Sequence, residues 1–332
     1  MKIALIGPGI LPIPPPGWGA VEILIWDYYN ELTRKGHSVT IINKIRNHPN
    51  DQSHPYIPYC MELINEINKG EFDFVHLHYD CLYHIIPFLT ARKIGFTSHY
   101  PYIDQLDKHM GDGFSNIFNF MKTIGNNTGI INFVLADKDI ECLKKHNARK
   151  ENIIKLENGI SHQAFLYKPL VECIHLDKTI YLGKVTDRKG QHKYCHLAGI
   201  HIIGPSDNPN SLVNYIGSWT REQVYANLSN YGNLLLLSDG EADPLVVKEA
   251  MIAGLGVVIN ETSGKNLDRD RDFITFIPNE KINDLEYIQT KLDENRKISI
   301  EKRDIIREYA ISKFGWEQFI QKYIDNITNY TK

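Results

Sequence analysis

The chain has 332 residues, 42% hydrophobic and 23% charged, a length that suits two hydrophobic cores rather than one. Lysine plus arginine number 37 against 40 acids, a formal net charge of -3, so no bulk field points to nucleic acid or an anionic membrane. Cys60, Cys81, Cys142, Cys173 and Cys195 form an odd set without CxxC or metal-like spacing, which fits a reducing cytoplasm. The run Ile3 to Ile13 is broken by Gly7, Pro8, Gly9 and Pro12, unlike a signal peptide. No apolar stretch nears the roughly 20 residues that span a bilayer, so membrane contact is expected to be peripheral at most. The Asn-x-Thr/Ser triplets at Asn126, Asn227, Asn260, Asn326 and Asn329 are read as chance.

Strands are expected at Ile3–Ile6, Val39–Ile42, Phe72–Leu77, Ile94–Ser98, Ile130–Leu135 and Ile153–Leu156, with helices near Ala20 to Arg34 and Met61 to Lys69. This alternation predicts a doubly wound parallel α/β sheet. Phe114, Ile117, Phe118, Met121 and Ile124 make a helical apolar stripe, read as buried core in preference to a membrane-contacting face. Pro169 and mixed polarity place a linker at Lys168 to Asp177. A second alternation follows: Thr179–Leu182, Gly199–Ile203, Val213–Ile216, Leu234–Leu237 and Gly256–Ile259. The expectation is two Rossmann-like domains facing across a cleft, residues 1–167 and 168–313, followed by an aromatic amphipathic helix over 314–332.

Chemistry concentrates where strands run into helices, since unpaired amides and the helix dipole there favour anions. In Asp239-Gly240-Glu241-Ala242-Asp243-Pro244-Leu245, Asp243 is the expected N-cap and Pro244 the first helical residue, with Gly254 ending the helix. Glu241 then lies on the loop and Glu249 roughly 8 Å down the helix at 1.5 Å per residue. A ligand draped over the helix start could touch both, although a loop acid and a solvated helix acid would read the same way. Gly183-Lys184-Val185-Thr186-Asp187-Arg188-Lys189-Gly190 presents cations at a helix start, where they oppose the dipole unless an anion joins them. Pro16-Gly17-Trp18-Gly19-Ala20-Val21-Glu22 brings two glycines to the start of the first helix, either a generic loop or a close backbone approach to a ligand. His76, His78 and His99 stand at the carboxyl edge of the first sheet; no acidic third ligand has informative spacing, so a supporting role suits His76 and His78 better than metal binding.

Taken in series, these segments resemble glycosyltransferase family 4, retaining enzymes of the GT-B fold. The resemblance rests on E-x7-E at Glu241 and Glu249, with Glu249-Ala250-Met251 at the second acid, on the Gly17 to Glu22 loop, and on Glu31 to Val39. It also rests on Gly183 to Gly190, on Thr97-Ser98-His99, on Glu157-Asn158-Gly159-Ile160 and on the closing Phe314-Gly315-Trp316-Glu317. What the resemblance implies is transfer of a sugar from a nucleoside diphosphate donor to an acceptor hydroxyl with retention, the acceptor being a carbohydrate, lipid-linked or other alcohol. It implies that Glu249 holds the donor ribose, that Glu241 and His99 serve the reacting sugar and acceptor, and that Lys184 and Lys189 meet the diphosphate. Gly19, Ala20, Asp243, Pro244 and Leu245 fall at donor-binding positions by the same likeness, with Asn158, Gly159 and Arg188 as supports. Ala20, Ser161, Lys184 and Asp243 replace the family's Gly, Asp, Arg and Phe. Asp268-Arg269-Asp270 falls in a loop rather than after a strand, so neither a metal nor another cofactor is expected. A GT-B epimerase and an inactive sugar-nucleotide binding protein are the rival readings, and oligomeric state is not legible.

Overall fold

The computed structural model describes residues 1–46, 57–105, 129–146 and 148–330. They form two compact units, one of Met1–Pro15, Gly19–Asn158 and Phe319–Lys332, the other of Pro16–Trp18 and Gly159–Gln318. The apolar stripe from Phe114 to Ile124 lies outside the described residues.

In the first unit β1 (Lys2–Ile6), β2 (Ser38–Ile42), β3 (Phe74–Leu77), β4 (Lys93–Thr97), β5 (Ile130–Val134) and β6 (Ile153–Lys155) form a parallel sheet in the order 2-1-3-4-5-6. Its central strands are buried along their length, which is why they read as continuous apolar runs. The helix Ala20–Arg34 buries Leu24, Tyr28 and Leu32 at helical spacing along one face, with Ile23 and Ile25 beside them. The helix Trp316–Asn329 buries Ile320, Tyr323 and Ile327, again one face. Lys93 Nζ donates to the carbonyls of Ile327 and Thr328 at 2.8 Å, a cation at the negative end of that helix.

In the second unit β7 (His175–Leu182), β8 (Ile200–Ile203), β9 (Tyr215–Gly217), β10 (Tyr231–Leu236), β11 (Gly256–Asn260) and β12 (Ile274–Ile277) are parallel in the order 12-11-10-7-8-9. Three expectations change here. Strand β7 begins inside the expected linker, because the His175 ring packs against His201 and Tyr231 at 5.3 and 5.2 Å and extends the pairing. Val213 is exposed and β9 starts only at Tyr215. Strand β12 was not anticipated; it is short and only its two ends are buried, so its pattern is faint.

Both orders reverse direction beside the first strand of each unit, between β1 and β3 and between β7 and β10. Such switch points open a crevice at the carboxyl ends of the strands. The residues that follow Leu182 and Leu236 are therefore the first place to look for a site, as are those that follow Ile6 and Leu77.

Candidate active site

At the β7–β10 switch point of the second unit, two loops lock onto each other through main-chain atoms. Gly183 leaves β7 with φ +144°, a conformation that favours glycine. The buried Gln191 then clasps the loop, donating to the carbonyls of Gly183 and Lys184 at 3.3 and 3.0 Å and accepting from the Thr186 amide at 3.3 Å. From the β10 side, the Asp239 amide donates to Arg188 O at 2.8 Å, and the Arg188 guanidinium donates to Gly240 O. Ser238 Oγ bonds Gly240 O at 3.0 Å, while Asn260 at the end of β11 holds Ser238 O at 2.8 Å.

This scaffold brings Glu241 against two cations. Its Oε1 lies 3.0 Å from Arg188 and 3.6 Å from Lys189, and the residue is only 7% exposed. Burial pulls the carboxyl upward, but the charges of Lys189 and Arg188 prevail and hold it below the usual glutamate range. Glu241 is thus an anion with a cationic partner on each of two adjacent residues. Lys184 takes a different position, with its ammonium 4.7 Å from the centre of the Trp18 ring. That tryptophan belongs to the Pro16–Trp18 segment, whose Pro16 carbonyl accepts from the Arg221 amide at 3.1 Å.

The helix after Glu241 spans Leu245–Ile252, with Pro244 rather than Asp243 at its N-cap position and no side chain capping it. The expected Asp243 cap and the placement of Pro244 inside the helix are both overturned, and the reason is a competing partner. Asp243 Oδ2 accepts from Lys248 Nζ at 2.7 Å and Oδ1 from Asn266 at 3.1 Å, so both carboxylate oxygens are engaged by side chains. The other end follows expectation: Gly254 has φ +84°, and the Gly254 and Leu255 amides bond Met251 O and Ala250 O. Leu245 is the first helical residue and is buried.

Glu249 lies on this helix and is 4% exposed. Its Oε1 accepts from Arg221, a residue that sequence reasoning missed. The available signal was the T-x-x-Q capping box of Thr220 and Gln223, present in the structure, which makes Arg221 a cation at a helix start just as Lys184 to Lys189 are.

In the first unit, Gly19 takes φ +127° as the residue before the helix, where a Cβ would lie 2.8 Å from Leu11 and 2.9 Å from Glu22. Ala20 opens the helix and is exposed. The three histidines form a continuous chain. His76 Nδ1 meets Tyr323 OH at 2.9 Å and its Nε2 meets Thr97 Oγ1 at 2.8 Å. His78 Nδ1 is 3.4 Å from Nε2 of the half-buried His99, and the rings of His76 and His78 are 3.9 Å apart. Burial, then the neighbouring rings, push the His76 and His78 imidazoles well below their usual range, so both are neutral at physiological pH. Both nitrogens of His76 are engaged by hydroxyls, which suits support rather than metal ligation. In the second unit, Gly159 lies against Trp316, where a Cβ would approach the indole to 2.6 Å. Asn158, the preceding residue, is buried.

No protein-family model matches the sequence, and no curated protein matches it in sequence. Solved structures do match. The chain is similar to sucrose-phosphate synthase from Thermosynechococcus elongatus with a TM-score of 0.77 at 16% identity, over 98% of this chain and 97% of that one. It is similar to Anabaena HepE in complex with UDP and glucose with a TM-score of 0.73 at 12% identity, over 99% and 100% of the two chains. WaaG, a glycosyltransferase involved in lipopolysaccharide biosynthesis, matches with a TM-score of 0.71 at 14% identity, over 99% and 100%. The fold is therefore that of GT-B glycosyltransferase structures: α/β, with two Rossmann-like units each built on a six-stranded parallel sheet.

Proposed function

We propose that the chain is a glycosyltransferase of family 4 type, which moves a sugar from a nucleoside diphosphate sugar to an acceptor hydroxyl with retention of configuration. The observation that carries this reading is the second unit's switch point, where Arg188, Lys189 and Glu241 meet and the next helix carries Glu249. Lys189, with Lys184 and the amides after Pro244, would stabilise the departing diphosphate, since preorganised donors act where negative charge develops. Glu249 would hold the ribose. Glu241 would orient the sugar, and its ion pairs with Arg188 and Lys189 keep it charged for that task. His99 of the first unit would serve the acceptor hydroxyl, backed by neutral His78. The complexes of HepE with UDP, with UDP and glucose, and with UDP-glucose support a nucleotide-sugar donor by analogy of fold.

The reaction is proposed to need no metal. Asp268, the first acid of the loop Asp-Arg-Asp, is engaged by Tyr309 at 2.8 Å and by Lys313, so its carboxylate is bound within the protein. We place the enzyme in the cytoplasm with membrane contact at most peripheral; no helix among the described residues is long and apolar enough to cross a membrane.

The test begins with thermal shifts against UDP, GDP and ADP sugars, because saturation at about 100 times the dissociation constant stabilises by roughly 2.7 kcal/mol. With the donor so found, nucleoside diphosphate should be released slowly in water and faster with a suitable alcohol, in EDTA as well as without it. Proton NMR should show the donor's anomeric configuration in the product. Epimerised donor without acceptor dependence would establish the epimerase reading, and binding without turnover the inactive binding protein.

A further inference from the structure

We infer that Arg221 is a positioning residue for the nucleoside end of the donor: it fixes one oxygen of Glu249, leaving the other for the ribose diol. The inference rests on the function proposed above and assigns a role to a residue outside the motifs that suggested it.

The geometry is specific. The side chains of Arg221 and Glu249 are 11% and 5% exposed and in contact. A carboxylate so buried would favour its neutral form unless a cation faced it. Arg221 reaches only Oε1, through one terminal nitrogen; Oε2 accepts no hydrogen bond from the described residues. A carboxylate held in place with one oxygen left without a protein donor is what two adjacent hydroxyls require.

The guanidinium is itself clamped. It lies 4.4 Å from the centre of the Tyr225 ring and 5.7 Å from that of Phe165, and those rings meet edge to face at 4.9 Å. The Leu166 amide donates to Tyr225 O at 3.0 Å, tying the two ring-bearing segments together. At the backbone, the Thr220 and Gln223 capping box fixes the start of the helix Arg221–Asn227. A cation at that first position opposes the helix dipole, so the helix gains nothing from Arg221, and the buried acid accounts for it. The neighbouring charge, Lys248, pairs with Asp243, which leaves Arg221 as the cation on Glu249 among the described residues.

The experiment measures binding of UDP-glucose, and of GDP-glucose and ADP-glucose if UDP-glucose is not bound, by calorimetry between pH 5.5 and 8.5. The phosphates of these sugars do not titrate in that range, so a slope reports the protein. For wild type the affinity should be flat, and the matching 2′-deoxy sugar nucleotide should bind about tenfold more weakly. In Arg221→Gln the acid faces no cation of the described residues: affinity should fall about tenfold towards pH 6 and largely recover by pH 8.5, and preference for the ribose should collapse at the acid end. Arg221→Lys should restore the flat profile. Arg221→Gln combined with Glu249→Ala should be no weaker than Glu249→Ala alone, because one interaction has been removed twice.

A loss in Arg221→Gln that is equal at every pH and equal for ribose and deoxyribose would make Arg221 merely structural and overturn the inference. So would a pH-dependent Arg221→Lys, which can be read even if the glutamine variant fails to fold. A wild-type chain that binds none of the three sugar nucleotides would refute the proposed function itself, and this role with it.

Discussion

Replacing Lys248 with methionine tests the largest departure in the Glu241 to Glu249 segment. Lys248 and Asp243 are each 2% exposed at the side chain and lie 2.7 Å apart, with the ammonium 5.2 Å from the centre of the Phe314 ring. Methionine keeps the length of the lysine stem and removes only the charge. The Asp243 carboxylate then stays buried without that cation, and breaking a buried pair in this way costs about 3–5 kcal/mol. In a domain of roughly 150–250 residues, where 1 kcal/mol moves the melting temperature about 2–4 °C, the melt should fall by roughly 10 °C. The second arm is Asp243→Leu with Lys248→Met, since replacing both charges by apolar groups is often neutral or stabilising. Asn266 then loses the Asp243 acceptor, so recovery should stop about 1 kcal/mol short of wild type. Circular dichroism melts and urea titrations give both values. A single variant that loses less than about 1 kcal/mol, or a double variant no better than the single, would refute the argument that charge compensation holds this segment.

Three further outcomes are expected. Burial raises the Asp80 carboxyl to about 6, against opposing hydrogen bonds from Ser98 and the backbone, whereas an unfolded aspartate titrates near 3.9. The folded chain thus binds this proton more tightly, and its stability declines as pH rises from about 4 to about 6; Asp80→Asn should remove that decline and gain on the order of 2 kcal/mol at pH 7.5, none at pH 3.5, a gain independent of pH being the contrary result. Tyr323→Phe deletes the hydroxyl on His76 Nδ1 and should cost about 1–2 kcal/mol in urea unfolding, with no change meaning that the bond carries no net stability. Gly159→Ala drives a methyl into the Trp316 indole and should destabilise by about 1–3 kcal/mol; an unshifted melting curve would show that Trp316 yields freely.

The sheets could be read from the sequence because parallel strands covered on both faces are written as plain apolar runs, as in Leu234 to Leu237 and Gly256 to Ile259. Strand β12 escaped notice because Thr275 and Phe276 are only half-buried, and β7 was cut short because His175 and Asp177 look like linker chemistry. At the site, the glutamates and the basic loop were legible through their resemblance to the family's motifs, since spacing by itself also fits a loop acid and a solvated basic turn. Their partners were not: Arg221 is 28 residues from Glu249 along the chain and Arg188 52 from Gly240. The Asp243 cap failed for the same reason, since local propensity counted the helix amides and missed Asn266 from a later loop.

The first unit is closed by the helix Trp316–Asn329. Tyr323 is fully buried, bonds His76, packs against Tyr28 at 4.9 Å and Phe133 at 5.0 Å, and arrives 247 residues after His76. During synthesis everything from Gly159 to Gln318 emerges from the ribosome while that aromatic socket still lacks its last member. The unit translated later can therefore finish folding earlier, and a nascent chain stalled before Phe319 would display Tyr28, Phe133 and neutral histidines to chaperones.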